Sequence, residues 1–291
     1  MNESMGLFAM QLLNGLAYGM LLFLLAAGLS LIFGIMDILN LAHGSLYMLG
    51  AYLAFSIAQY FQNFWIALVL APLLVGLISL ILEMSLLRMT YNRGHLNQVL
   101  LTFGLAYVFN DIVRWIWGAT IRSLTPPASI SGSLEIMGQT FPRYRLVLVF
   151  FGLIIAFLLW FFQEKTRWGA ILRAGVSDKE MVSGLGINIR LVFSLVFAFG
   201  GVLAGFSGVA AGPILGLFPG MDFETLIFAL IVVVVGGLGS FTATLGGAII
   251  IGLADTFGKI WFPQASLFLI FAIMAVVLLL KPQGLFGGRT G

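Results

Sequence analysis

The sequence contains no cysteine and only two histidines, His43 and His95, among its 291 residues. The absence of cysteine excludes disulfides, thiol catalysis and cysteine metal sites, and two histidines are too few for a histidine-rich metal site. Gly258-Lys259 is the only Gly-Lys pair, and it lacks the glycine spacing and the following Ser or Thr of a phosphate-binding loop. We therefore expect no catalytic residues, no metal, no bound cofactor and no ATP hydrolysis by this chain itself.

Charged residues are also scarce. They make up 9% of the chain, apolar residues make up 61%, and the mean hydropathy is +1.10. Soluble domains carry about a quarter charged residues, so this composition excludes a soluble protein. No stretch between the hydrophobic runs is long enough to form a core of its own. We therefore interpret residues 1–291 as a single transmembrane domain surrounded by lipid.

Nine hydrophobic runs indicate an all-α, polytopic membrane protein, because a helix needs about 20 apolar residues to cross a hydrocarbon core of about 30 Å. The runs lie at residues 8–34, 44–60, 64–87, 97–117, 145–163, 191–212, 224–239, 242–260 and 266–280. The second, seventh, eighth and ninth runs are short, so each is a full span, a half-helix or a re-entrant segment. We expect eight to nine transmembrane segments.

The basic residues set the expected orientation. Nine of the 14 basic residues fall in three regions, which are 88–96, 164–190 and the tail after residue 280. Cytoplasmic loops carry an excess of Lys and Arg, so we assign these regions to the cytoplasm. Nine spans then place the N-terminus outside and the C-terminus in the cytoplasm. The first residues, MNESMGLFAMQ, include no basic residue, which argues against a cleaved signal peptide.

Two stretches interrupt the runs with polar or helix-breaking residues. They are GIMDILNLAHG at 34–44 and GPILGLFPGMD at 212–222. Each follows a Gly-rich run and leads into a short one, and the two units cross the membrane in opposite senses. This pattern predicts an inverted-topology repeat with broken helices, whose halves are residues 8–117 and 191–280.

The two breaks are candidates for a substrate path. Irregular backbone at membrane depth is tolerated where protein or a water-filled cavity satisfies its polar groups, and a restarting helix offers free N–H groups to a carboxylate. The candidate pathway residues are Asn40, His43 and Gly44 at the first break and Phe218 and Phe223 at the second. In the alternative, both breaks only end spans at the membrane surface, and His43 only bonds to a neighbouring carbonyl.

The polar segment 164–190 carries a helical signal of its own. Ser177 is followed three positions later by Glu180, the spacing of a capping box, which predicts that a short helix starts there. A displayed amphipathic helix is a docking device in one interpretation and a helix lying on lipid in another. The third interpretation is a solvated loop with one helical turn.

Two charged pairs lie inside the runs. Asp111 and Arg114 are three residues apart, and Asp255 and Lys259 are four apart, so each pair can form on one helix face. We interpret both as structural pairs. Asp222 and Glu224 open the seventh run, where they fit a cap and a favourable charge at a helix N-terminus.

Four stretches share the signatures of one family. They are GLSLIFGIMDILNLAHGSLYMLGAY (28–52), GAILRAGVSDKEMVSGLGINI (169–189), VVGGLGSFTATLGGAIIIGL (234–253) and LKPQGLFG (280–287). They resemble branched-chain amino acid ABC transporter permeases of the LivH type, nearly along the whole chain. The resemblance implies an inner-membrane permease subunit of an importer for branched-chain or other small neutral amino acids. Relatives with the same signatures carry urea or short amides, and a channel or secondary transporter is the alternative from another class.

The resemblance also implies partners. Such a permease pairs with a second, related permease, two cytoplasmic ATPase subunits use the ATP, and a periplasmic binding protein delivers the substrate; nucleic acid is not a partner. The segment that matches 169–189 docks on the ATPase in that family. The implied coupling residues are Arg173, Ala174, Gly175, Asp178, Glu180, Gly184 and Gly186.

Overall fold

The computed structural model describes residues 2–91, 93–136 and 138–287 and is almost entirely helical there. The helices are α1 (Asn2–Met36), α2 (His43–Phe61), α3 (Phe64–Ser85), α4 (His95–Trp117), α5 (Arg143–Lys165), α6 (Arg167–Ser177), α7 (Lys179–Gly184), α8 (Ile189–Leu215), α9 (Met221–Gly236), α10 (Phe241–Trp261) and α11 (Ser266–Leu280). One antiparallel hairpin, β1 (Ser133–Ile136) and β2 (Gln139–Pro142), precedes α5, with Ser133 opposite Pro142. Arg289 and the side chains of Ser177 and Lys179 lie outside the described residues. The all-α prediction is confirmed.

Seven helices in the described part of the chain are long and apolar enough to cross a membrane. They are α1, α3, α4, α5, α8, α10 and α11, where α3 is extended by a 3-10 turn at Leu87–Thr90 and α11 is preceded by one at Pro263–Ala265. The prediction of eight to nine spans is therefore too high as a count of full crossings. The two other hydrophobic runs form α2 and α9, of 19 and 16 residues, and both begin inside the bundle.

One end of the bundle, which we call the basic end, gathers the connection 86–94, the segment 164–188, the loop 237–240 and the tail 281–287. Three sets of hydrogen bonds join these parts. Arg88 donates to Ser194 Oγ over 2.7 Å, the Gln163 side chain binds the backbone of Gly239 and Phe241, and the backbone of Leu285 and Phe286 binds that of Val235 and Gly236. The three basic regions of the sequence thus lie on the same side of the bundle.

The opposite end, which we call the hairpin end, carries β1, β2 and the loop 118–132. Arg145, near the start of α5, donates to the Asn14 side chain of α1 there. The backbone of Arg122 pairs with that of Leu217, just after α8, through two hydrogen bonds of 2.8 Å. The start of α1 and the ends of α4, α8 and α10 therefore share this end.

The central helices pack backbone to backbone through small residues. A Cβ atom on Gly252 of α10 would lie 2.5 Å from the carbonyl oxygen of Gly15 in α1. On the other side of the bundle, a Cβ on Gly201 of α8 would lie 2.0 Å from Ser79 Oγ in α3. Neither site has room for a side chain. The close contact between α1 and α10 therefore resembles the one between α8 and α3.

Candidate translocation site

The first break returns the chain to the interior of the bundle. After α1 ends, Asp37 adopts a left-handed φ of 59°, and the buried Asn40 closes the turn by accepting a hydrogen bond of 3.1 Å from the Ala42 N–H. α2 then begins at His43, which is fully buried, with its Nε2 3.0 Å from the carbonyl oxygen of Leu25. Leu25 lies in the middle of α1, so α2 begins beside the middle of that helix and not beside its C-terminal end.

His43 has one satisfied ring nitrogen and one that is not. The bond to Leu25 is the carbonyl contact that the sequence offered as one of two interpretations. Its other nitrogen, Nδ1, is buried without a hydrogen-bond partner among the residues that the structure describes, and the same is true of Asn40 Nδ2. Unpaired buried polar groups cost free energy, so these two nitrogens destabilise the first break in this conformation.

The second break also returns the chain to the interior of the bundle, but it does so from the hairpin end. α8 ends at Leu215, and Gly216 and Gly220 take positive φ values of 73° and 101°, which glycine adopts without strain. Leu217 pairs with the loop of the hairpin end, and α9 then begins at Met221. From this start, α9 runs towards the basic end, whereas α2 runs towards the hairpin end.

The starts of α2 and α9 meet around one carboxylate, and we call this contact the junction. Ser45 Oγ of α2 donates to Asp222 Oδ2 of α9 over 2.8 Å, and the Asn110 amide of α4 donates to Asp222 Oδ1 over 3.2 Å. Asp222 is only 2% exposed. Helix N-termini carry partial positive charge, so a carboxylate between two of them is electrostatically favourable.

The contact at the junction leaves no gap between the two helices. A Cβ on Gly44 would lie 2.3 Å from the carbonyl oxygen of Asp222. The expectation that Asp222 caps its helix is wrong: Gly220 is at the cap position, no side chain caps α9, and Asp222 lies in the first turn. Its carboxylate is directed to α2 and α4 because those helices supply the nearest donors.

α4 lines both breaks with polar side chains. Its buried face carries Gln98, Thr102 and Asn110. Thr102 Oγ1 accepts a hydrogen bond of 3.2 Å from the Leu41 N–H in the first break, and Asn110 binds Asp222 in the second. Sequence reasoning missed this helix, although three polar residues on one face of a hydrophobic run were a usable signal.

The predicted pathway residues are only partly brought together. Gly44 touches Asp222, and Asn40 and His43 lie next to it in the first break. Phe223 instead faces α4, with its ring 5.5 Å from Tyr107 and 6.1 Å from Phe103. Phe218 is half-buried in the turn before α9.

The two charged pairs predicted inside the spans have different outcomes. Lys259 Nζ lies 2.6 Å from Asp255 Oδ2, which confirms that pair. Asp111 and Arg114 are both exposed and form no ion pair within the described residues. Both side chains lie on the outer surface of α4, so packing inside the bundle does not force them together.

The segment 164–190 forms two short helices at the basic end rather than one. α6 begins at the Thr166 cap, whose side chain accepts from the Gly169 N–H, and α7 begins at the Asp178 cap, whose side chain accepts from the Met181 N–H over 2.9 Å. Ser177 is the last residue of α6, so α7 is capped one residue later than the predicted capping box has it; the side chain of Ser177 lies outside the described residues. The extended backbone and the carboxylate of Asp178 provide the cap instead.

Most of the predicted coupling residues are accessible. Ala174, Asp178, Glu180, Gly184 and Gly186 are exposed, Arg173 is partly exposed, and Gly175 is buried. Arg173 lies 3.6 Å from Glu164 in an exposed ion pair. Two apolar side chains of this segment, Met181 and Leu185, are 66% and 74% exposed. The segment therefore displays an apolar surface beside charged groups.

A buried polar cluster lies at the basic end, between α3 and the start of α8. Glu83 is completely buried and accepts hydrogen bonds of 2.6 Å from Tyr91 Oη and Ser194 Oγ, while Arg88 forms a 3.1 Å ion pair with it. Burial and the bond to Glu83 raise the pKa of the Tyr91 hydroxyl above its usual range. No local sequence pattern predicted this cluster, because Ser194 is 111 residues from Glu83 in the chain.

A wide groove of about 790 Å³ lies between α3, α5 and α8. Its lining is apolar, with Leu77, Leu158 and Phe199 among its walls. Exposed apolar surface of this kind marks contacts with lipid or with another protein.

Known proteins similar to this chain are transport permeases. A family model described as branched-chain amino acid transport system, permease component, matches residues 11–278. The BraD permease protein of the high-affinity branched-chain amino acid transport system of Pseudomonas aeruginosa is 28% identical over 96% of both chains. The corresponding LivH proteins of Salmonella typhimurium and Escherichia coli K12 are 28% and 27% identical, over 99% of this chain and 98% of theirs. No solved structure matches the chain.

Proposed function

Because this chain belongs to the branched-chain amino acid transport permease family, we propose that it provides the translocation path of an ABC importer for branched-chain or other small neutral amino acids. The chain is a transport permease subunit and not an enzyme. ATP is used by separate ATPase subunits, and this chain binds no cofactor of its own.

The junction is the observation that supports a gated path most directly. Two short helices start inside the bundle, and their N-termini share the Asp222 carboxylate. Two positive helix ends and two polar side chains, Ser45 and Asn110, suit a substrate carboxylate, and Asp222 takes that place in this conformation. The path is therefore closed here, and transport requires the starts of α2 and α9 to separate.

The two halves around the junction support an inverted repeat. α2 begins at His43 and α3 at Phe64, while α9 begins at Met221 and α10 at Phe241, so the spacing of the starts is nearly the same in both halves. α1 lies against α10 as α8 lies against α3. α2 and α9 run in opposite directions from their common junction. In a repeat of this kind, the expected transport motion is a rocking of one half against the other around the central site.

The basic end is the proposed cytoplasmic face. It gathers the connection 86–94, the segment 164–188 and the tail 281–287, and the positive-inside rule assigns such regions to the cytoplasm. α6 and α7 lie at this end and display Met181 and Leu185, which suit a groove on an ATPase subunit. The proposed complex contains a second related permease, two ATPase subunits and a periplasmic binding protein in the inner membrane.

Reconstituted uptake tests the proposal. The chain is co-expressed with a related permease, ATPase subunits and a binding protein of the same organism, and ATP-dependent uptake of labelled leucine, alanine and urea is measured in proteoliposomes. Uptake of leucine that requires ATP inside the vesicle and the binding protein outside supports the proposal. Uptake of urea without leucine uptake would replace the substrate class, and leucine flux without ATP would indicate a channel or secondary transporter.

A further inference from the structure

A second polar site lies at the hairpin end, away from the junction. It is a cleft of about 300 Å³ between α1, α5, α8 and α10. This volume is at the lower limit of small-molecule pockets, which is the size range for a single amino acid. Its lining includes one carboxylate, from Asp255, and two cations, from Lys259 and Arg145.

The carboxylate of the cleft is buried and only half satisfied. Asp255 is 3% exposed; its Oδ2 lies 2.6 Å from Lys259 Nζ, while its Oδ1 has no hydrogen-bond partner among the described residues. A charge within a membrane span is costly and marks a functional site by default. The structural role of a simple helix-face pair would not require an unpaired, buried oxygen.

The two cations are arranged so that they can reach a ligand. The Lys259 side chain is 60% exposed, and its Nζ lies 5.5 Å from the centre of the Tyr18 ring. Arg145 projects from α5, binds the neutral side chain of Asn14 and has no carboxylate partner within the described residues. The cleft thus has an excess of one positive charge over its single carboxylate.

We propose that this cleft binds a free zwitterionic amino acid, as an entry subsite of the permease. The ligand ammonium replaces the Lys259 ammonium on Asp255, and the released Lys259 joins Arg145 on the ligand carboxylate. Asp255 has a cationic partner before and after this exchange, so the buried carboxylate is never left alone. Leu21 and Ile214 supply an apolar wall for an aliphatic side chain. The proposal rests on the proposed function for its ligand class.

The position of the cleft fits entry from the side opposite the basic end. Tyr18, which lines the cleft, also packs edge-on against Phe228 of α9, with ring centres 6.2 Å apart. α9 is the helix whose start closes the junction. A ligand in the cleft therefore contacts a residue that touches the moving helix, before it reaches the closed point.

The test is equilibrium binding of labelled leucine to the complete transporter, without nucleotide or binding protein, in nanodiscs of phosphatidylglycerol only. We expect saturable binding that falls at least about tenfold in Asp255→Asn and in Arg145→Gln, because each removes a charge-assisted contact. Arg143→Gln, two residues away and outside the cleft, is the matched control and should bind like the wild type.

Two leucine analogues separate recognition from mere stability. 4-Methylpentanoate lacks the ammonium and 3-methylbutylamine lacks the carboxylate, so both should compete at least about tenfold more weakly than leucine with the wild type. Asp255→Asn should lose the preference for leucine over 4-methylpentanoate, which a folding defect would not produce.

Three results would overturn the subsite. The first is a wild-type transporter that takes up leucine with its binding protein and ATP but shows no saturable binding alone; this leaves the proposed function intact. The second is equal loss of binding in Arg143→Gln. The third is leucine binding that disappears when phosphatidylethanolamine is added, because the occupant is then a lipid headgroup.

Discussion

Ser45 on α2 donates a 2.8 Å hydrogen bond to Asp222 on α9, across 177 positions of the chain. The bond joins the starts of the two helices that begin inside the bundle. Both starts are buried, so the bond is shielded from water. Any motion that opens a path between α2 and α9 has to break it, and its strength therefore contributes to the barrier for opening.

Asp222→Asn should loosen the junction. The loss of negative charge between two helix N-termini, and of the charge-assisted bond from Ser45, should cost about 1–3 kcal/mol of the closed arrangement. In the cysteine-free background, a Phe218→Cys reporter should then react faster with a small water-soluble thiol reagent, and ATP-driven uptake should fall. Glu224→Gln is the control, since Glu224 is an exposed carboxylate in the same helical turn. Equal reporter reactivity in wild type and Asp222→Asn would contradict a gate at the junction.

Gly44→Ala should prevent the closed contact. The added Cβ would lie 2.3 Å from the Asp222 carbonyl oxygen, which is backbone and cannot turn aside. We expect a lower thermal unfolding temperature of the purified complex. Gly104→Ala in α4 has open space around the new methyl group, so it should stay within about 1 kcal/mol of wild type. The prediction fails if the two variants have the same stability.

Glu83→Ala should destabilise the protein strongly. The substitution leaves Arg88, Tyr91 and Ser194 without their shared acceptor, and the loss of one partner of a buried pair costs about 3–5 kcal/mol. Glu164→Ala removes an exposed pair with Arg173 at the same end and should cost about 0–1 kcal/mol. Chemical denaturation in detergent, followed by tryptophan fluorescence, gives the comparison, and a loss in Glu83→Ala no larger than in Glu164→Ala would refute it.

Arg173→Glu should weaken coupling to the ATPase subunits without unfolding the permease, because the residue is outside the spans. Transport and transport-stimulated ATP hydrolysis should both fall. The double variant Glu164→Arg, Arg173→Glu restores the local ion pair with reversed charges, so it separates local structure from docking. Recovery in the double variant would assign Arg173 to the segment itself, whereas continued loss supports contact with an acidic surface.

The orientation is testable because the chain has no cysteine of its own. Ser183→Cys at the basic end and Ser133→Cys at the hairpin end are both exposed positions. In inside-out vesicles an impermeant thiol reagent should label the first and not the second, and in right-side-out vesicles the reverse. Labelling of both from one side would exclude the topology.

Much of the fold followed from hydrophobic runs and glycine-proline breaks, because each run is a local property of the chain. All nine runs became helices, and the breaks ended where α2 and α9 begin. The count of full crossings was too high because run length alone does not show that α2 and α9 start in the interior. The cap of α7 was misplaced by one residue, since Ser177 and Asp178 are both good caps.

The site was harder to predict, because its contacts are distant in sequence. Asn40, His43 and Gly44 were predicted as pathway residues from the polar break, but Asp222 was interpreted as a cap rather than as the partner of Ser45. The bonds of Glu83 to Ser194 and of Asn110 to Asp222 each span more than 100 residues. No local pattern encodes such pairs. They arise only when the helices have packed.

The junction also has a consequence for biosynthesis. α2 is not among the helices that are long and apolar enough to cross a membrane, and it leaves the ribosome with Ser45 lacking its partner on α9. Its partner Asp222 is made 177 residues later. At about 5–20 residues per second, this delay is roughly 9–35 s. During that time the nascent chain holds an incomplete membrane segment, so the first half of the protein depends on the insertion machinery until the second half arrives.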